Sequence, residues 1–110
     1  MTPIFEYRTN PDGKPVARPV HGVHAELATF LTEEASWSDY VGILQDLATE
    51  ATTTGQPQVN TGNAYAVTIS GASASIEHLH RAGHKPHAVP LAIFVQALRE
   101  WRAFLDRTPA

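Results

Sequence analysis

Six histidines are the residues of this chain whose type and spacing come nearest to metal or acid–base chemistry. Four of them, His78, His80, His84 and His87, fall within ten residues. His78 and His80 stand two apart, a spacing that puts both on one side of a strand. In composition this resembles a zinc tract, but the spacing matches no strong ligand motif and no carboxylate is interleaved. His21 and His24 stand alone before a helical segment. The expectation is ordinary surface or loop histidines, with no metal and no cofactor. The chain has no cysteine, which removes thiolate ligands, cysteine nucleophiles and disulfides.

Nucleophilic catalysis fares no better. Serine and threonine are abundant, but no nucleophile elbow is present. Ser70-Gly71-Ala72-Ser73 has the composition of a hairpin turn, in which turn geometry accounts for the glycine. Glu33 with Glu34, and Asp39 with Asp46, are paired carboxylates expected at the surface, where they keep ordinary pKa values and make poor general acids near neutrality. Thr61-Gly62-Asn63 lacks the glycine run and the lysine of a phosphate loop. Arg99, Arg102 and Arg107 form no concentrated patch with exposed aromatics, which argues against direct nucleic-acid binding. These residues point to a protein that is not an enzyme.

The distribution of charge carries more information than its sum of -3. Between Pro19 and His80 there is no lysine or arginine, while the same stretch holds Glu26, Glu33, Glu34, Asp39, Asp46, Glu50 and Glu77. The segments before and after it are net basic. Such a field repels nucleic acid and attracts a basic protein surface. Its plain alternative is a solvated acidic face. Residues 38–53 form the amphipathic helix that presents this charge. At about 100° per residue, Tyr40, Val41, Leu44, Leu47, Ala48 and Ala51 share one arc, while Asp39, Asp46 and Glu50 share the opposite ridge with Ile43 beside it. The candidate partner-binding set is therefore Glu33, Glu34, Trp37, Asp39, Ile43, Asp46 and Glu50. Trp37 is its natural anchor, since binding hot spots are enriched in tryptophan. A tryptophan just before a helix also packs back as a hydrophobic staple, and that reading stays open.

The remaining elements must hold this helix. Residues 4–8 and 16–20 read as a hairpin around Asn10-Pro11-Asp12-Gly13-Lys14, with Pro15 and Pro19 confining the second strand to an edge. Residues 24–31 form a short helix, and Ser36 or Ser38 is placed to cap the next one. Residues 56–62 are polar and turn-rich. Residues 63–70 alternate apolar and polar positions and return through 74–79 as a second hairpin. Residues 80–90 are irregular, and a last helix runs over 90–106 with Pro90 at its first position. Arg102 lies inside the apolar arc of that helix, so it must reach solvent or pair with a carboxylate. The expected fold is a single α+β domain over residues 1–110, an antiparallel sheet of about four strands with two main helices packed on one face. No apolar run approaches the length of a membrane span and no signal-like segment opens the chain, so the expected location is the cytoplasm.

An acidic helix, then Thr61-Gly62-Asn63-Ala64-Tyr65-Ala66-Val67-Thr68-Ile69 as a strand, a tight turn with Ala74-Ser75-Ile76 returning, and a helix from Pro90-Leu91 to Trp101-Arg102-Ala103-Phe104-Leu105 resembles small bacterial immunity proteins. These accompany polymorphic or contact-delivered toxins. The resemblance covers residues 38–106 in layout and in the Gly-Asn-Ala-Tyr strand opening. It implies a cytoplasmic inhibitor that occludes the active site of one cognate basic toxin, commonly a nuclease, with the acidic residues mimicking a substrate's negative charge. A homo-oligomeric structural or regulatory protein that buries Trp37 and Ile43 in a dimer is the second reading, and a histidine-based metal protein or enzyme a more distant third.

Overall fold

The structure, a computed structural model, describes residues 2–81 and 85–107. Strands β1 (Phe5–Thr9) and β2 (Pro15–Pro19) form the expected antiparallel hairpin. Its loop is closed by Asn10, whose Oδ1 accepts the amides of Asp12 at 3.0 Å and Lys14 at 2.9 Å. The hairpin is a two-stranded sheet of its own and does not join the larger one. Two strands alone are marginal in water, and two side chains supply what a third strand would. Helix α1 (Ala25–Glu33) brings Thr32, whose Oγ1 accepts the amide of Ala17 on β2 at 3.0 Å. Glu100, from the C-terminal helix, accepts the Ile4 backbone amide at 2.9 Å and the Tyr7 hydroxyl at 2.5 Å through Oε1, and the Gln96 side-chain Nε2 at 2.8 Å through Oε2.

Helix α2 (Ser38–Thr54) buries Val41, Leu44, Ala48 and Ala51, the arc expected from periodicity. It stops at Gly55, which takes φ 73° and returns its amide to Ala51 O at 2.9 Å. A residue with a Cβ is disfavoured in that left-handed conformation, so the glycine ends the helix. The four-stranded antiparallel sheet follows in the order β3 (Gln58–Thr61), β4 (Tyr65–Ser70), β5 (Ser73–His78) and β6 (His87–Pro90). Tyr65, Val67 and Ile69 on β4, Ala74 and Ile76 on β5, and Val89 on β6 are its buried residues. By register they lie on one face. Gly71 at φ 61° opens the two-residue β4–β5 turn, with positive φ at the first central position only, as a type II′ turn requires.

Helix α3 (Leu91–Arg107) follows β6 without a loop, and the Leu91 amide bonds Ala72 O at 2.7 Å. Pro90 is thus the last residue of the strand and not the first of the helix. α2 contacts β3 and β4, α3 contacts β5 and β6, and the shorter α1 also reaches β5. The fold is α+β with a four-stranded antiparallel sheet, but its strands are not the two expected hairpins. β3 and β6 flank the second hairpin, in segments whose composition read as loop, and the first hairpin stands apart. β3 has one apolar residue, Val59, which faces out and is 61% exposed, so pairing with β4 holds the strand and not an apolar face. β6 is an edge strand bounded by Pro86 and Pro90.

Burial, followed by the bond to Glu100, raises the pKa of Tyr7, and burial followed by the bond to Glu33 raises that of Tyr65. A raised folded-state pKa means that the unfolded chain releases its proton first. The stability these tyrosines contribute is therefore complete below their ordinary value of 10.0 and declines as pH rises above it. Thermal unfolding followed from about pH 8 to about pH 11 should show that decline, and the Tyr7→Phe, Tyr65→Phe double variant should flatten it.

Candidate functional site, an acidic helix face

Asp39, Ile43, Asp46 and Glu50 succeed one another at three- and four-residue spacing along α2 and are all exposed. They form a ridge about 16 Å long at 1.5 Å rise per residue. The arc behind them is consumed by Val41, Leu44 and Ala48, so the sheet and α3 fix which way the carboxylates point. None of the side-chain carboxylates of Asp39, Asp46 and Glu50 has an ion-pair or hydrogen-bond partner among the described residues. Asp39 lies in the first turn, where the helix dipole favours negative charge. Asp46 and Glu50 stand at i, i+4, where like charges cost a helix about 0.2–0.5 kcal/mol. Folding gains nothing from that pair.

Trp37 is the N-cap residue of α2, extended at φ -139° and ψ 124°, and its carbonyl accepts the amides of Tyr40 at 3.1 Å and Val41 at 3.2 Å. Its side chain is 65% exposed. The staple reading therefore fails. The core position at this corner is already filled by Trp101, which is fully buried and donates Nε1–H to Ala35 O at 2.7 Å. Ile43, 50% exposed, adds a second apolar residue to the face. No side chain caps α2. Ser38, expected as a possible cap, instead receives Arg102 Nε at 3.3 Å on its Oγ. Arg102 also donates to Gln45 Oε1 at 2.8 Å and lies over Gly42, so it meets two neutral acceptors while staying partly exposed, and among the described residues no carboxylate pairs with it.

Glu33 and Glu34 belong to a different arrangement. Glu34 is half-buried, and its Oε1 accepts the Asn63 amide at 2.6 Å while Oε2 accepts the Ala64 amide at 3.2 Å. It closes the connection between β3 and β4. A Cβ on Gly62 would collide with that carboxylate, so Gly62 is needed for the space Glu34 occupies and not for a left-handed turn. Glu33 is exposed, but its Oε1 accepts the Tyr65 hydroxyl at 2.7 Å. Nearby, Tyr40 donates to Asn60 Oδ1 at 2.6 Å, and burial, then the charge of Glu34, raises its pKa. Five of the seven candidate residues thus form the solvent face, while two carry internal hydrogen bonds. Gly62→Ala should displace the Glu34 carboxylate from the Asn63 and Ala64 amides. Charge-assisted bonds of this kind are worth about 1.5–3 kcal/mol, so a loss of that order in urea unfolding is the expected result.

The histidines are spread over other tasks. His78 stacks edge-on against Tyr65 at 4.8 Å and accepts the His80 amide on Nδ1 at 3.2 Å. His80 Nε2 bonds Asn63 O at 2.9 Å, and His87 Nδ1 stands 3.7 Å from Glu26 Oε2. His84 lies outside the described residues. Among the described residues no group of three or more histidine, aspartate or glutamate side chains is arranged to hold a metal ion. A cleft of about 130 Å³ between α1 and β5 carries Glu26, Thr29, Tyr65, His78 and Arg81. Its hydroxyls are committed, Thr29 to Ala25 O at 3.0 Å and Tyr65 to Glu33.

No protein-family model, curated protein or solved structure matches the chain. Among the described residues no helix is long and apolar enough to cross a membrane.

Proposed function

We propose that this chain is a non-catalytic binding protein whose α2 face engages a basic protein, in the manner of an immunity protein that covers the active site of its cognate toxin. The observation that carries this reading is the α2 face itself: Trp37 and Ile43 exposed beside three carboxylates that have no internal partner among the described residues. An exposed tryptophan costs solubility, and unpaired like charges cost helix stability, so the combination makes sense where a partner covers the first and neutralises the second. A basic partner of this kind, such as a nuclease with a cationic substrate channel, would be drawn to the ridge by its field and held by the apolar pair. The layout that resembles immunity proteins points the same way.

The same face disfavours the homo-oligomeric alternative. A two-fold contact through α2 would set the acidic ridge of one copy against that of the other. Sedimentation of the isolated protein should therefore give a monomer. Trp37→Ala separates a binding role from a folding one. Stability should stay within about 0.5 kcal/mol of the parent, while partner affinity measured by calorimetry falls roughly thirtyfold or more, as for a hot-spot residue. A large loss of stability with unchanged affinity would refute the anchor role.

A further inference from the structure

Leu91 and Val95 of α3 pack against the core and are only partly buried. The two helices touch where Arg102 crosses Gly42, and a groove opens between the C-terminal half of α2 and the N-terminal half of α3. One part has a volume of about 350 Å³ and lies against Ala48, Thr49 and Leu98. The other, about 840 Å³, extends past Ala51 and Leu91 to the β4–β5 turn at Gly71 and Ala72. Thr52, Val95 and Arg99 line both. The hydroxyls of Thr49 and Thr52 donate back to Gln45 O and Ala48 O of their own helix. Among the described residues no acidic one lines either part. Arg99 is exposed, and its guanidinium has no ion-pair or hydrogen-bond partner among the described residues.

We propose that this groove is a binding site for a linear apolar carboxylate of medium chain length, distinct from the acidic face of α2. Its chain lies along Ala51, Leu91 and Val95, and its carboxylate pairs with Arg99. Volumes of this size are those of small-molecule sites, which join an apolar lining to a few polar groups that fix orientation. Among the described residues Arg99 is the one cation on this groove and no acid lines it, which selects the charge of the occupant. A neutral chain leaves Arg99 without a partner, and a cationic one is repelled.

The test is a titration of the ¹⁵N-labelled full chain with decanoate below its micelle threshold, and in parallel with decan-1-ol, followed by amide chemical shifts. Saturable shifts centred on Thr52, Gly71, Ala72, Val95 and Arg99 are expected, with decanoate binding more tightly than the alcohol. Arg99→Gln should weaken decanoate roughly three- to fivefold, the scale of an exposed ion pair, and leave decanol unchanged. Ala92→Trp, at an exposed position of the groove, should block both ligands while the far-ultraviolet circular dichroism stays that of the parent. The proposal is overturned by shifts that fail to saturate or that centre outside the groove, by equal affinity for the acid and the alcohol, or by an Arg99→Gln variant that binds decanoate as the parent does.

Discussion

Replacing Trp101 by alanine is expected to lower stability by about 3–5 kcal/mol, the cost of emptying a buried aromatic site. For a domain whose whole stability is about 5–15 kcal/mol, that is a large fraction. Trp101 is fully buried, stacks with Phe104 at 5.9 Å and lies 5.9 Å from Tyr7, so its ring joins α3 to the first hairpin. Its Nε1–H also satisfies the carbonyl of Ala35, the residue that turns the chain from α1 into α2. Trp101→Phe keeps most of the volume but leaves that carbonyl unpaired, and should cost about 1–3 kcal/mol. Because Ala35 is two residues from Trp37, the phenylalanine variant should also weaken partner binding without altering the surface. Urea unfolding gives the first quantity and calorimetry the second. A midpoint unchanged in Trp101→Ala would mean that the corner is held by something other than this ring.

The second large effect concerns charge. Changing Asp39 and Asp46 to asparagine and Glu50 to glutamine should weaken association with the proposed basic partner by roughly ten- to a hundredfold at low ionic strength, if each exposed charge contributes up to about 1 kcal/mol. At about 1 M salt, where screening acts within about 3 Å, most of the difference between parent and variant should vanish. Association rate should fall more than dissociation rate rises, since the ridge acts mainly through its field. The folded state should be little affected. Loss of the favourable Asp39 position is offset by relief of the Asp46 and Glu50 repulsion.

The helices and the second hairpin were legible because their apolar residues repeat at the periods of those elements. The arc of Val41, Leu44 and Ala48 and that of Phe94, Leu98 and Trp101 place α2 and α3 to within one residue at each end. β3 carries no such signal. Gln58 to Thr61 has one apolar residue, and that one points away from the core, so only its pairing with β4 makes it a strand. β6 is hidden by the prolines around it, which an edge position tolerates. The ridge of Asp39, Asp46 and Glu50 could be read because a helix converts spacing into direction. Glu34 could not, since its partners are backbone amides 29 and 30 residues away that leave no mark on side-chain pattern. Gly62 was the one trace of it, and it has a second plausible reading as a turn residue. Trp37 was ambiguous for a related reason. Whether it folds inward depends on whether another ring already fills the corner, and Trp101 comes from the far end of the chain.

The most direct test of the α2 face is affinity capture of the tagged protein from its native cells at low ionic strength, run beside the Asp39, Asp46 and Glu50 triple variant. The expected result is one basic protein held in stoichiometric amount by the parent, released by salt and absent from the variant. The same protein retained equally by the variant, and not released by salt, would contradict a binding role for this face.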